Sequence, residues 1–167
     1  MKELTLIICL CVATLIIGGV WLLVNYLMHR IKTKVSFKNS IDKSDLVIIP
    51  LENNGKKLNF VVDSGSTCNV IDESIVKELS IIKEDVDISK IESYSVSGTM
   101  ETSGVISMKL ENEQEIFFET FYIMDVANSF SWGEQEYGEK IHGILGIDFL
   151  THYGKVLDFD NCIIYSK

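Results

Sequence analysis

The chain has 167 residues and only one proline, Pro50, with no low-complexity tract and no internal repeat. That length excludes a two-domain enzyme of ordinary size and allows one modest domain. Cysteine is sparse as well. Cys9 and Cys11 lie inside an apolar run, which leaves Cys68 and Cys162 for the folded part and excludes a disulfide framework. Those two pair only if the fold brings them together. The three histidines, His29, His142 and His152, are scattered; no HExxH, CxxC or Cys/His cluster occurs, so neither a metal site nor a cofactor is indicated. Basic residues are in deficit, 15 Lys plus Arg against 24 Asp plus Glu, for a net charge of −9.

What the chain does have is a local excess of apolar residues. With 47% apolar and 23% charged residues the composition is that of a globular protein, so the slightly positive mean hydropathy of +0.21 needs a local source. The source is Leu4 to Met28, LTLIICLCVATLIIGGVWLLVNYLM, which carries no charge. At ~1.5 Å per residue a helix of this length crosses a ~30 Å hydrocarbon core with some tilt. The alternative is a cleaved signal peptide, but the run exceeds the usual ~7–15-residue apolar region and no small-x-small site follows it. A transmembrane helix is therefore expected within residues 1–28. Lys2 stands alone before the span, whereas Arg30, Lys32, Lys34, Lys38 and Lys43 follow it. This bias favours a cytoplasmic C-terminal domain, although a basic stretch touching anionic headgroups suits either face.

Charge divides the remainder. Residues 29–45 carry +3 and read as a basic juxtamembrane linker; since Lys2 and Glu3 cancel, the total of −9 leaves −12 for residues 46–167. Such an acidic domain repels phosphate backbones, which argues against a nucleic-acid partner.

Within residues 46–167 short apolar or alternating runs recur at Leu46–Leu51, Lys57–Val62, Cys68–Ile71, Ser93–Ser97, Val105–Leu110, Glu115–Met124, Lys155–Phe159 and Cys162–Tyr165. Many short strands separated by Gly, Asn and Asp predict an all-β barrel or sandwich. Asn53-Asn54-Gly55 is a hairpin turn by its tolerance of positive φ, and Asp160-Asn161 is another. Two short helices are expected: one capped by Asp72 and running through Leu79, with Ile75, Val76 and Leu79 on one face, and one from about Gly146 to Thr151 with Ile147 and Leu150 inward.

Chemistry concentrates in two segments. In Phe60-Val61-Val62-Asp63-Ser64-Gly65-Ser66-Thr67 an apolar strand runs into an ionisable group at a tight turn. Alone, Asp-Ser-Gly is as readily a plain β-turn in which the Asp caps its own loop. About eighty residues later by the numbering come His142-Gly143-Ile144-Leu145-Gly146-Ile147-Asp148-Phe149-Leu150 and then Val156-Leu157-Asp158-Phe159. In this order the pair resembles the retropepsin-like aspartic proteases, whose apolar strand into D-[ST]-G-[ST] is matched by a later apolar-apolar-Gly segment opening a short helix. The resemblance spans roughly residues 46–167. It implies an all-β, retropepsin-like closed barrel, the single-lobe acid protease fold, with one or two short helices after the transmembrane helix.

The resemblance also assigns roles. Asp63 is the catalytic carboxylate: two such groups close together share one proton, so that one activates a water and the other polarises or protonates the scissile carbonyl. Gly65 permits close approach of a partner loop, Ser64 hydrogen-bonds across the two loops, and the Ser66 hydroxyl orients the Asp63 carboxylate. Ile144, Leu145 and Gly146 support the site as the second motif. Tyr94 to Ile106, with Ser97, Gly98 and Thr99 at its tip, is either a flap closing over an extended peptide or an ordinary polar hairpin. Asp148 stands where viral relatives often have Arg, so their inter-loop ion pair does not carry over; instead it caps the helix it enters. Cys68 is a small core residue in preference to a redox switch. Trp132 and Tyr137 either line a substrate pocket or cover the core.

No second Asp-[Ser/Thr]-Gly occurs, since Asp125, Asp148, Asp158 and Asp160 are followed by Val126, Phe149, Phe159 and Asn161. One chain thus supplies one catalytic Asp, and an active enzyme of this kind must be a homodimer. The expectation is a membrane-anchored aspartic endopeptidase acting on an extended peptide or protein segment. The rival is a binding or scaffold module that kept the fold without catalysis.

Overall fold

The computed structural model describes residues 14–24, 34–85, 93–95 and 98–167. The chain divides into two compact units, Met1–Lys32 and Thr33–Lys167. In the first, residues 14–24 form helix α1, whose Leu15, Ile17, Trp21 and Leu22 are exposed. Among the described residues no helix is long and apolar enough to cross a membrane; the remainder of the span expected between Leu4 and Met28 lies outside them.

The second unit is built on a six-stranded closed barrel in the order β2-β3-β9-β4-β8-β7. Its strands are β2 (Ile48–Asn53), β3 (Lys56–Val62), β4 (Val70–Asp72), β7 (Gly104–Glu111), β8 (Ile116–Met124) and β9 (Gly143–Leu145). The expected closed β-barrel is therefore present, in a unit that is mostly β and carries four helices where one or two were expected. β2 and β3 form a hairpin through Asn54 and Gly55, both at positive φ (50° and 79°), the conformation that matches the twist of paired strands. β5 (Ser93–Ser95) and β6 (Gly98–Met100) make a separate two-stranded sheet. β1 (Lys34–Ser36), β11 (Ile163–Ser166) and β10 (Lys155–Asp158) make a third sheet, in that order.

Burial on both faces explains why β3 reads as a continuous apolar run. Leu58, Phe60 and Val62 face the main core with Ile49, Ile71, Ile106, Phe121 and Leu145. Val61 faces the other way, into a smaller cluster with Ile48, Tyr137 and Ile141. Tyr137 belongs to α4 (Ala127–Tyr137), which covers that side. Helix α3 (Glu73–Glu78) starts as expected at Asp72, whose Oδ1 accepts the Ser74 N–H at 2.9 Å.

Four expectations are corrected. The charge of residues 34–45 predicts a linker, yet they form β1 and α2 (Lys38–Ser44), with Phe37 between them 1% exposed in the core. Hydrophobic burial of one aromatic outweighs the solvation of its basic neighbours, which point outward. The segment before the second motif, where no helix is expected, contains α4, which buries Tyr137 but leaves Trp132 exposed. In α5 (Ile147–His152) the inward residues are Phe149 and Leu150, whereas Ile147 is exposed. Nor does Asp148 cap α5: Gly146 holds the cap position without a side-chain bond, and Asp148 sits in the first turn.

Candidate active site

The loop from Asp63 to Asn69 joins β3 to β4, and β9 is inserted between those two strands, parallel to β3 and antiparallel to β4. The loop is consequently stitched to the second motif at both ends. Asp63 N–H donates to Leu145 O at 3.0 Å, and Ile147 N–H donates to Ser66 O at 2.8 Å. Such close threading leaves no room for side chains. A Cβ on Gly146 would stand 2.4 Å from Cys68 O and 2.7 Å from Ser66 O, and one on Gly143 would stand 2.2 Å from Val70 O. Ile144 and Leu145 fill the space between, Leu145 fully buried.

Asp63 itself is exposed. Its backbone carbonyl accepts the Ser66 N–H at 3.1 Å, and its Oδ1 accepts the Gly65 N–H at 2.8 Å. The carboxylate caps its own turn, as the plain-turn reading expects, and the same turn leaves it exposed. Gly65 lies tight against it: a Cβ there would be 3.1 Å from Oδ1. The Ser66 hydroxyl does not orient this carboxylate, as expected of it, but donates to Cys68 O at 2.8 Å. Backbone geometry has taken over the orienting bond through Gly65. Ser64 is exposed.

Asn69 is the residue that sequence reasoning missed. It is 3% exposed; Oδ1 accepts the Gly146 N–H at 3.0 Å and Nδ2 donates to Glu119 Oε2 at 2.6 Å. One amide thereby ties the Asp63 loop, the start of α5 and β8 together. An Asn within the apolar run Cys68–Ile71 was the available signal, since a buried polar side chain needs partners. Beyond the opposite end of β9, His142 Nδ1 accepts the Asn59 N–H at 2.9 Å while His142 N–H donates to Asn59 O at 2.8 Å, which extends the β3–β9 seam by a side chain.

Gly98 and Thr99 lie on β6, which pairs with β5 in the register Ser95↔Gly98; Ser97 lies outside the described residues. A hairpin is therefore present where the flap was expected. Cys68 and Cys162 are both free and half-buried. Burial raises the Cys68 thiol above its usual value, which keeps it protonated and fits its packing against Val70, Met124 and Val126.

Residues 49–149 match the family described as aspartyl protease, more than half the chain, and the chain belongs to that family. Among solved structures it resembles the EIAV protease complexed with the inhibitor HBY-793, at 17% identity over 68% of this chain and 93% of that one, with a TM-score of 0.50. It also resembles the retroviral protease-like domain of Ddi1 from Leishmania major, at 14% identity over 72% and 92% of the two chains, with a TM-score of 0.50. At these identities the likeness is one of fold, and that fold is retropepsin-like. No curated protein sequence matches the chain.

Proposed function

We propose that the chain is an aspartic endopeptidase whose active unit is a homodimer, with one Asp63 contributed by each subunit. The observation that carries this is an exposed carboxylate presented by a loop hydrogen-bonded to the second motif, in a chain with a single Asp-Ser-Gly. Two such carboxylates sharing a proton would activate water and protonate the scissile group as a coupled pair. An extended peptide would add as a strand beneath the β5–β6 hairpin. Residues 4–28 would anchor the enzyme in the membrane with the catalytic domain on the cytoplasmic side, the basic flank following the span favouring that orientation. Anchoring raises the effective concentration of the two subunits.

The test is cleavage of a peptide library by the full chain in detergent micelles, wild type against Asp63→Asn, from acidic to neutral pH. Asp63→Asn is expected to keep the fold, judged by circular dichroism, and to lose at least about 10³-fold in kcat/KM. Equal cleavage by both proteins removes the reading. Absence of cleavage by a dimeric wild type leaves the non-catalytic binding module.

A further inference from the structure

A cavity of about 520 Å3 opens between the end of the Asp63 loop, β8 and α5, with Cys68, Asn69, Phe118, Glu119, Asp148 and His152 in its wall. Among the described residues its lining contains two carboxylates and neither Lys nor Arg. Glu119 is only 7% exposed. Its Oε2 is engaged by Asn69, but its buried Oε1 has no hydrogen-bond partner. His152 Nδ1 lies 3.3 Å from that oxygen, an ion pair when the imidazole is protonated although not a hydrogen bond; its ring is exposed and stacked on Tyr153 with centroids 4.5 Å apart. A buried carboxylate oxygen lacking a hydrogen-bond donor is costly, and the exposed His152 ring is the group that an incoming cation would displace. Asp148 adds a second negative charge at the rim, and Phe118, 71% exposed, supplies an apolar surface.

The cavity wall is joined to the chemistry by a short stretch of chain. Cys68 lies five positions after Asp63, so their Cα atoms are at most about 17 Å apart. Ser66 O, in the same loop, holds the N–H of Ile147, the neighbour of Asp148. An extended peptide advances about 3.3 Å per residue, so about five substrate residues span that upper bound.

We propose that this cavity is a specificity subsite for a basic side chain, Lys or Arg, of the substrate, with Glu119 Oε1 as the buried anion that receives it and Asp148 as the rim charge. The proposal rests on the endopeptidase reading and sharpens it to substrates carrying a cationic residue near the cleavage point. Among the described residues no three His, Cys, Asp or Glu side chains converge as metal ligands, so an organic cation suits the site better than a metal ion. Its bond to a buried carboxylate is charge-assisted, and Phe118 can carry the aliphatic stem or stack on a guanidinium.

The experiment uses the full chain in detergent micelles and a peptide series in which one Arg, or its neutral isostere citrulline, is stepped through two to five residues on either side of the scissile bond. The expected result is a preference for Arg over citrulline of about tenfold or more in kcat/KM at one position, the worth of one charge-assisted hydrogen bond. Glu119→Gln should bring that ratio close to one, and Asp148→Asn, at an exposed position, should lower it by a smaller factor. A ratio unchanged in both variants, or no Arg preference at any position, overturns the proposal. Equilibrium binding of the same peptides to Asp63→Asn separates it from the catalytic reading. Arg preference in binding that Glu119→Gln or Asp148→Asn diminishes supports the subsite even if wild type cleaves nothing, whereas indifferent binding rejects the subsite even if wild type cleaves.

Discussion

His142 is 8% exposed and has its Nδ1 against the Asn59 N–H, so that seam bond exists only while Nδ1 is unprotonated. Burial pushes its pKa below the ordinary 6.5, and the nearby positive charges of Lys140 and Lys56 act in the same direction. The unfolded chain then binds more protons than the folded one between the folded value and 6.5, so stability rises with pH across that window and is lost as pH falls through it. Since His142 closes the strand seam from which Asp63 emerges, acid should loosen the site as well as the fold. Urea unfolding midpoints between about pH 5 and pH 8 check this: wild type should weaken below pH 6.5, and His142→Gln, which cannot titrate, should show a smaller slope there. Asp72 contributes at lower pH. Burial opposes its charge, but bonds from the Ser74 hydroxyl and N–H and from the Val126 N–H outweigh burial and hold its pKa below 3.8. Its contribution is present above 3.8 and lost as pH falls through the depressed folded value.

At the scale of elements, β9 and the loop it supports tolerate little. Gly146→Ala would set a Cβ against two backbone carbonyls rather than flexible side chains, so the loop must shift. A loss of about 2–3 kcal/mol in chemical unfolding is expected, and cleavage should fall further than stability alone accounts for. The strands and the two motifs were legible because their residues carry both local and tertiary signals: Asn54-Gly55 turns a hairpin, and Phe60-Val61-Val62 is apolar throughout because both faces are covered. Helix α4 was hidden, as Gly133 and a run of polar residues mask its period, and its packing depends on Leu46, whose Cδ1 would lie 2.7 Å from a Cβ at position 133. Residues 34–45 were hidden by their charge. Their place in the folded unit rests on Phe37, which meets Phe159 edge-on at 5.8 Å. Phe37→Ala should therefore cost about 3–5 kcal/mol of global stability, measured by thermal or urea unfolding, whereas a residue of a true linker would cost almost nothing.

For the whole molecule the proposed dimer makes the controlling quantity the number of Asp63 carboxylates that meet. Residues 46–167 carry −12, so two subunits repel one another, and the repulsion reaches ~30 Å at 0.01 M salt but only ~3 Å at 1 M. Sedimentation of the full chain in micelles should show the dimer fraction rising with salt; a fall would mean that opposite charges paired across the interface dominate. Subunit mixing gives the sharper outcome. If each active centre takes one Asp63 from each chain, Asp63→Asn subunits exchanged at random with wild type form mixed dimers that lack one carboxylate. With three mutant chains per wild-type chain, about a quarter of the wild-type subunits find a wild-type partner, so cleavage per wild-type subunit should fall to about a quarter of its unmixed value. A monomeric enzyme with a complete site would show no fall. Because Asp63→Asn is expected to keep the fold and lose only the charge, a loss on mixing with the variant's circular dichroism unchanged reports the shared site and not the failure of a subunit to pair.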